Sequence, residues 1–276
     1  MLNIVKSLLF RLKQTKMFWI MLGLCALGPV LALLLNQLVL EIAKVLIDMP
    51  TNLGLETVTY MSLTGLASPS NTINFLALLC TSIFLSKEFT DGTIRNTLLS
   101  NKSRWQLYSA YGVVSLIIGG SFLLANFVST LLALGIPFGF GNVAAGQAIT
   151  SCACSLLLGI CSLLFVISCV LMFLFATGKQ GASIILPILV TIFLPDIVAS
   201  VVEIATTILM LAQMGGNTAV ELGNDFYSWI PLYNSYLYDA TSVDGGLVAK
   251  IAMYYLAFSG LFVWWGSSAA LKKDLK

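Results

Sequence analysis

Histidine is missing from the chain altogether, and charge is scarce: only 9% of the residues are Asp, Glu, Lys or Arg. The first absence excludes imidazole metal sites, histidine general bases and histidine pH sensing. The second excludes a water-soluble globule, in which about 25% of residues are charged and roughly 45–50% apolar. Here 58% are hydrophobic and the mean hydropathy is +0.95, which also rules out a disordered chain and a disulfide scaffold. Long polar stretches are lacking too, so no segment has the room and composition for a soluble catalytic domain. The six cysteines (Cys25, Cys80, Cys152, Cys154, Cys161, Cys169) all fall in apolar runs and read as free thiols acting as small hydrophobes. Cys152 and Cys154, two apart, point to different sides of a helix and make a poor metal pair.

What is present is a series of apolar runs. A transmembrane helix needs about 20 such residues to cross about 30 Å of hydrocarbon. The expected architecture is an all-α integral membrane protein, one domain over residues 1–276, with spans at Met17–Leu40, Ser68–Leu85, Leu107–Ile136, Ala148–Thr177, Ala182–Leu211 and Leu247–Leu271. The first run is too long and Leu-rich for a signal peptide and is expected to stay as an anchor. Before it, residues 1–16 alternate Leu2, Ile4, Val5, Leu8, Leu9 and Leu12 with Lys6, Arg11, Lys13 and Lys16. This pattern predicts an amphipathic helix along the membrane surface, the alternative being a basic flank that only orients the first span.

The fifth segment is irregular. Pro187 and Pro195 interrupt it, and Asp196 and Glu203 fall in its second half. Ala182–Leu194 alone reaches roughly 20 Å at about 1.5 Å per residue, too short to cross. Charge decides the count. With six crossings, Lys6, Arg11, Lys13, Lys16, Lys87, Arg95, Lys102, Arg104, Lys179, Lys272, Lys273 and Lys276 share one side, leaving only Lys44 and Lys250 opposite. Lys and Arg favour the cytoplasmic side, which predicts both termini inside. A seventh span from 196–211 would send the C-terminal lysines outside, so that stretch is expected to be a kinked continuation or a re-entrant piece. Of the outer connections, 41–67 and 212–246 are the longest, and the second carries Trp229, Pro231 and several tyrosines suited to the headgroup layer or to a lid over an exit.

The most informative stretch is the polar segment 86–106, SKEFTDGTIRNTLLSNKSRWQ. Apolar Phe89, Ile94, Leu98 and Leu99 lie among Glu88, Asp91, Arg95 and Lys102, with Gly92 as an early break. Spacing alone leaves two readings, a short docking helix or a solvated turn that sets topology. The run Glu88-Phe89-Thr90-Asp91-Gly92-Thr93-Ile94-Arg95, followed by Ser103-Arg104, resembles the E-[FY]-x-x-G-T-[IL]-R…S-R stretch of the permeases of type 2 ATP-binding-cassette (ABC) exporters. The similarity extends to the basic N-terminal helix, six spans, the polar segment after the second span and a long outer segment before the sixth. Asn101-Lys102 stands where the family often has Gly, and Ala110 and Tyr111 occupy the region where a Lys commonly follows.

The resemblance implies that the segment is a coupling helix seated in a cleft of a separate ATPase subunit, with Glu88, Gly92, Thr93, Arg95 and Arg104 as its contact surface. It further implies a permease dimer of identical or paralogous copies in a bacterial plasma membrane, and a re-entrant segment after the fifth span. ATP and Mg would belong to the partner ATPase, this chain itself being non-catalytic and holding no cofactor or metal. The remaining partners would be membrane lipid and a hydrophobic or amphipathic cargo (peptide, toxin, drug or lipid), with sodium export as the rival within the family and no nucleic acid. A phosphate loop within the chain fails, because Phe173 and Gln180 stand where a loop through Gly178-Lys179 needs Gly and Ser/Thr.

Candidate pathway residues are Asp196, an acid within a span, and Asn71, Asn74 and Phe75 at the outer end of the second span. Interhelical hydrogen bonding is the commoner use of such amides. A secondary transporter without an ATPase would show broken helices in matching halves, and only the fifth segment is broken. A membrane enzyme would need a nucleophile–base pair or two carboxylates at one site, and neither pattern is visible.

Overall fold

The computed structural model describes residues 2–47, 64, 66, 72–90, 103–135, 145–194, 238, 244–272 and scattered positions between 197 and 208. Helix dominates the described residues, in the order α1 (Leu2–Gln14), α2 (Lys16–Ile47), α3 (Thr72–Thr90), α4 (Arg104–Thr130), α5 (Ala145–Thr177), α6 (Gln180–Ile188) and α7 (Gly245–Lys272). Among them five helices are long and apolar enough to cross a membrane, with spans at Lys16–Leu35, Thr72–Thr90, Arg104–Ala133, Gly146–Thr177 and Gly245–Leu271. The chain is a multi-pass, all-α membrane protein. The expected fifth span appears as the shorter apolar helix Gln180–Phe193, and the described residues beyond it (Leu194, Ile197, Ser200, Val201, Ile204, Ala205, Thr207, Ile208) are also helical.

The hub is α5. Nearly three-quarters of its apolar span is buried, and α3, α4, α6 and α7 all pack on it. Phe165 sits among Tyr255, Phe258 and Phe262 of α7, with ring centroids 5.9, 6.4 and 5.6 Å away. Backbones also meet closely: a Cβ on Gly266 would lie 2.8 Å from the Tyr108 hydroxyl and 3.0 Å from the Met172 Cα. Small residues at such crossings let membrane helices approach for dispersion contacts, since lipid offers no hydrophobic drive between them. By contrast α2 buries little, and Leu24, Leu27, Leu31, Leu34 and Leu38 face outward. So large an apolar face is untenable in water and natural against acyl chains.

Proline leaves marks that the bundle repairs. In α2, Pro29 has no N–H to give the carbonyl of Cys25 one turn back. Asn126 of α4 donates to that carbonyl at 3.0 Å, and Ser129 donates to the carbonyl of Ala26. Freed carbonyls inside a bilayer require such substitutes. In α6, Pro187 precedes a π turn, Leu189–Phe193, whose following residue Leu194 reaches back to the Leu189 carbonyl. The α5–α6 turn closes on Gly178, which adopts φ 64° and donates to the Leu174 carbonyl at 2.9 Å, a left-handed helix end that suits glycine.

Three boundaries differ from expectation: α2 runs past Leu40 to Ile47, into the expected outer connection 41–67, and both ends that flank the polar segment move. The second span does not stop at Leu85, because α3 continues to Thr90. Its last turn is held on the protein through Glu88 and Phe89, so polarity there does not end the helix. Ser103 caps α4, accepting from the Gln106 N–H at 3.2 Å, and Arg104 is already helical. The expected polar segment 86–106 thereby narrows to 91–102, outside the described residues.

Candidate functional site at the basic end of the bundle

The first element of this site is α1. Its stripe Leu8 and Leu12 is buried, with Ile4, Val5 and Leu9 packed beside it, whereas Leu2 and Phe10 remain exposed. Part of the amphipathic face thus docks on the protein, chiefly on α4 and α2. Thr15 alone separates α1 from α2, and the Trp19 indole N–H donates to the Lys13 carbonyl at 2.9 Å across this elbow.

From the flank of this buried stripe, Arg11 reaches α3. One guanidinium nitrogen, Nη1, donates to both carboxylate oxygens of Glu88, at 3.0 Å to Oε1 and 2.7 Å to Oε2. The carboxylate side chain is 10% exposed and the arginine side chain 46%. Next along α3, Phe89 meets Phe175 edge-on at 5.4 Å and Tyr111 at 6.4 Å. Tyr108 closes this aromatic layer, 5.1 Å from Phe175. One stem of the 91–102 segment is therefore fixed electrostatically to α1 and sterically to α4 and α5.

The other stem is tied down by different contacts. Beyond the Ser103 cap, Arg104 Nη1 donates to the Leu271 carbonyl at 2.8 Å, tying the start of α4 to the end of α7. A cation suits the free carbonyls and negative dipole of a helix C-terminus. Trp105 stacks on Tyr108 at 5.9 Å with 18° between planes. The arrangement supplies no nucleophile–base pair among these side chains. Its chemistry is mechanical: two rigid stems hold a short polar segment at the cationic end of the bundle.

Of the residues singled out from the sequence, Glu88 and Arg104 come to this end, one on each stem. Gly92, Thr93 and Arg95 lie outside the described residues, as do Asn71 and Asp196. Asn74 is at the far end of α3, buried, donating to Ser162 Oγ of α5 at 3.1 Å, with half-buried Phe75 next to it. There Tyr238 inserts its hydroxyl 2.7 Å from Ser155 Oγ. Most buried hydroxyls bond back to their own helix, as Ser115 does to Tyr111 and Ser259 to Tyr255. Sequence reasoning did not pair Arg11 with Glu88, although a cation on an amphipathic helix was a usable signal. It also treated Phe89 as part of a loop, and it passed over Asn126, whose only sequence cue was a polar residue inside a span.

No protein-family model and no curated protein matches this chain.

Proposed function

We propose that the chain is the permease subunit of a type 2 ABC exporter, crossing a bacterial plasma membrane six times with both termini in the cytoplasm. The observation that carries this reading is the double anchoring of the 91–102 segment, by Arg11–Glu88 and Phe89 on one stem and by Arg104–Leu271 on the other. A segment that receives a push from an ATPase must have stiff stems, or the motion is lost in bending. In this reading Gly92, Thr93 and Arg95 meet the ATPase cleft, while Glu88 and Arg104 position them. The N-terminal helix moves with α3 because an ion pair joins them, and α7 moves with α4 through the Arg104 contact. ATP binding and hydrolysis with Mg belong to the partner; this chain supplies the pathway within a permease dimer. The weakly charged bundle suits a hydrophobic or amphipathic cargo such as a peptide.

The test is a mild-detergent pull-down of the tagged chain from its native host, with mass spectrometry of what co-purifies. A stoichiometric ATPase is expected, lost in Arg95→Glu and retained in Lys250→Glu. An oligomer of this chain with no ATPase would overturn the reading. For the cargo, cells lacking the complex are expected to lose tolerance to amphipathic peptides; loss of sodium tolerance alone would refute that assignment.

A further inference from the structure

At the α1–α2 elbow the structure holds a cavity of about 250 Å³ lined by Thr15, Lys16, Met17, Phe18, Cys80, Ile83, Phe84 and Lys87. Its chemistry is divided. Lys16 and Lys87 are exposed at the adjoining ends of α2 and α3, and among the described residues neither ammonium has a carboxylate partner. Met17, Phe18, Cys80, Ile83 and Phe84 make the remainder almost wholly apolar. Along α3 these features are ordered by depth: Phe84 lies about one turn, and Cys80 roughly 10 Å, further into the membrane than Lys87 at about 1.5 Å per residue. The exposed Trp19 at the same elbow is of the type that marks the headgroup layer.

We propose that this cavity binds an anionic phospholipid of the leaflet on which α1 lies, the phosphate between Lys16 and Lys87 and the start of an acyl chain against Phe84, Ile83 and Cys80. Basic pockets between transmembrane helices recognise acidic headgroups in this way. The volume is ample for the apolar part, since an apolar cavity of about 150 Å³ already admits benzene. A free phosphate would satisfy the lysines and leave the apolar wall unfilled. A zwitterionic lipid would fill the wall and bring a second cation towards two ammonium groups. The inference requires only that α2 and α3 lie in a bilayer, and stands apart from the exporter reading.

Native mass spectrometry of the purified full chain tests it, after equilibration with dioleoyl phosphatidylglycerol or dioleoyl phosphatidylcholine. Two lysines at an acidic headgroup predict up to roughly 30-fold greater retention of the anionic lipid. The preference is expected to fall to about parity in Lys16→Gln/Lys87→Gln and to persist in Lys16→Arg/Lys87→Arg and in Lys250→Gln, whereas Ile83→Trp, which fills the apolar wall and keeps both cations, is expected to lower retention of the anionic lipid itself. Circular dichroism confirms that each variant is folded; if the glutamine pair does not fold, the Ile83→Trp result decides. Equal retention of both lipids by the natural chain, unchanged preference in the glutamine pair, or unchanged retention of the anionic lipid in Ile83→Trp, would overturn the proposal. Displacement of the anionic lipid by glycerol phosphate alone would overturn it too, because the acyl chain would then contribute nothing.

Discussion

Replacing Arg11 by glutamine takes the cation away from a carboxylate whose side chain is only 10% exposed, whereas replacing Glu88 by glutamine leaves an arginine that is already 46% exposed. The two substitutions remove the same ion pair and should not cost the same. Losing one partner of a fully buried pair costs about 3–5 kcal/mol, and an exposed pair contributes roughly 0.2–1 kcal/mol. Arg11 is half in water, so the upper figure must be discounted. Arg11→Gln is expected to cost about 2 kcal/mol, because the carboxylate loses its guanidinium partner where little solvent can take its place. Glu88→Gln should cost about 1 kcal/mol or less, because water takes over the guanidinium. The double variant should resemble Glu88→Gln, since no carboxylate then remains at that site.

The loss should appear first in α1. A helix of 13 residues is marginal alone and depends on docking. Hydrogen exchange of the α1 amides in detergent or nanodiscs is therefore the assay, with α5 amides as internal reference. About 2 kcal/mol corresponds to roughly 30-fold faster exchange if α1 opens locally. Equal acceleration by the two single variants would refute the asymmetry argument. Unchanged exchange in Arg11→Gln would show that Leu8 and Leu12 hold α1 without the ion pair, and the stem argument would lose its electrostatic half.

Three further outcomes follow from contacts elsewhere. Asn126→Ala strands the Cys25 carbonyl and should destabilise the bundle by about 1–2 kcal/mol in reversible unfolding from mixed micelles, whereas the same change in a Pro29→Ala background should cost much less, because alanine restores the N–H. Gly178→Ala forces a Cβ into a left-handed conformation at the α5–α6 turn, and a loss of roughly 1–2 kcal/mol is expected in the same assay; no loss would mean that the turn relaxes to negative φ. Gly266→Ala sets a methyl 3.0 Å from the Met172 Cα, so the α5–α7 contact must open at a cost of about 1–3 kcal/mol, visible as a lower Tm in detergent; an unchanged Tm would show that the backbones have slack.

The scarcity of charge and the long apolar runs determined by themselves that the chain is helical and membrane-spanning, because only a helix satisfies its own backbone across hydrocarbon. They also located most spans to within a few residues. Alternation of Leu and Lys before Met17 was enough for the amphipathic helix. Local pattern stops where a residue's environment comes from elsewhere in the chain. Glu88 read as a surface charge until Arg11, 77 positions away, was brought beside it, and Phe89 read as loop until Tyr111 and Phe175 enclosed it. For that reason the end of α3 was set too early: charge normally ends a buried helix, but a paired carboxylate and a packed ring do not. Pro29 was visible as a break, yet its repair by Asn126 depended on α4 lying against α2 at that height. The cavity between Lys16 and Lys87 exists for the same reason, since it is space left between an elbow and a neighbouring helix, and tertiary packing alone sets its shape and its mixture of cation and apolar wall.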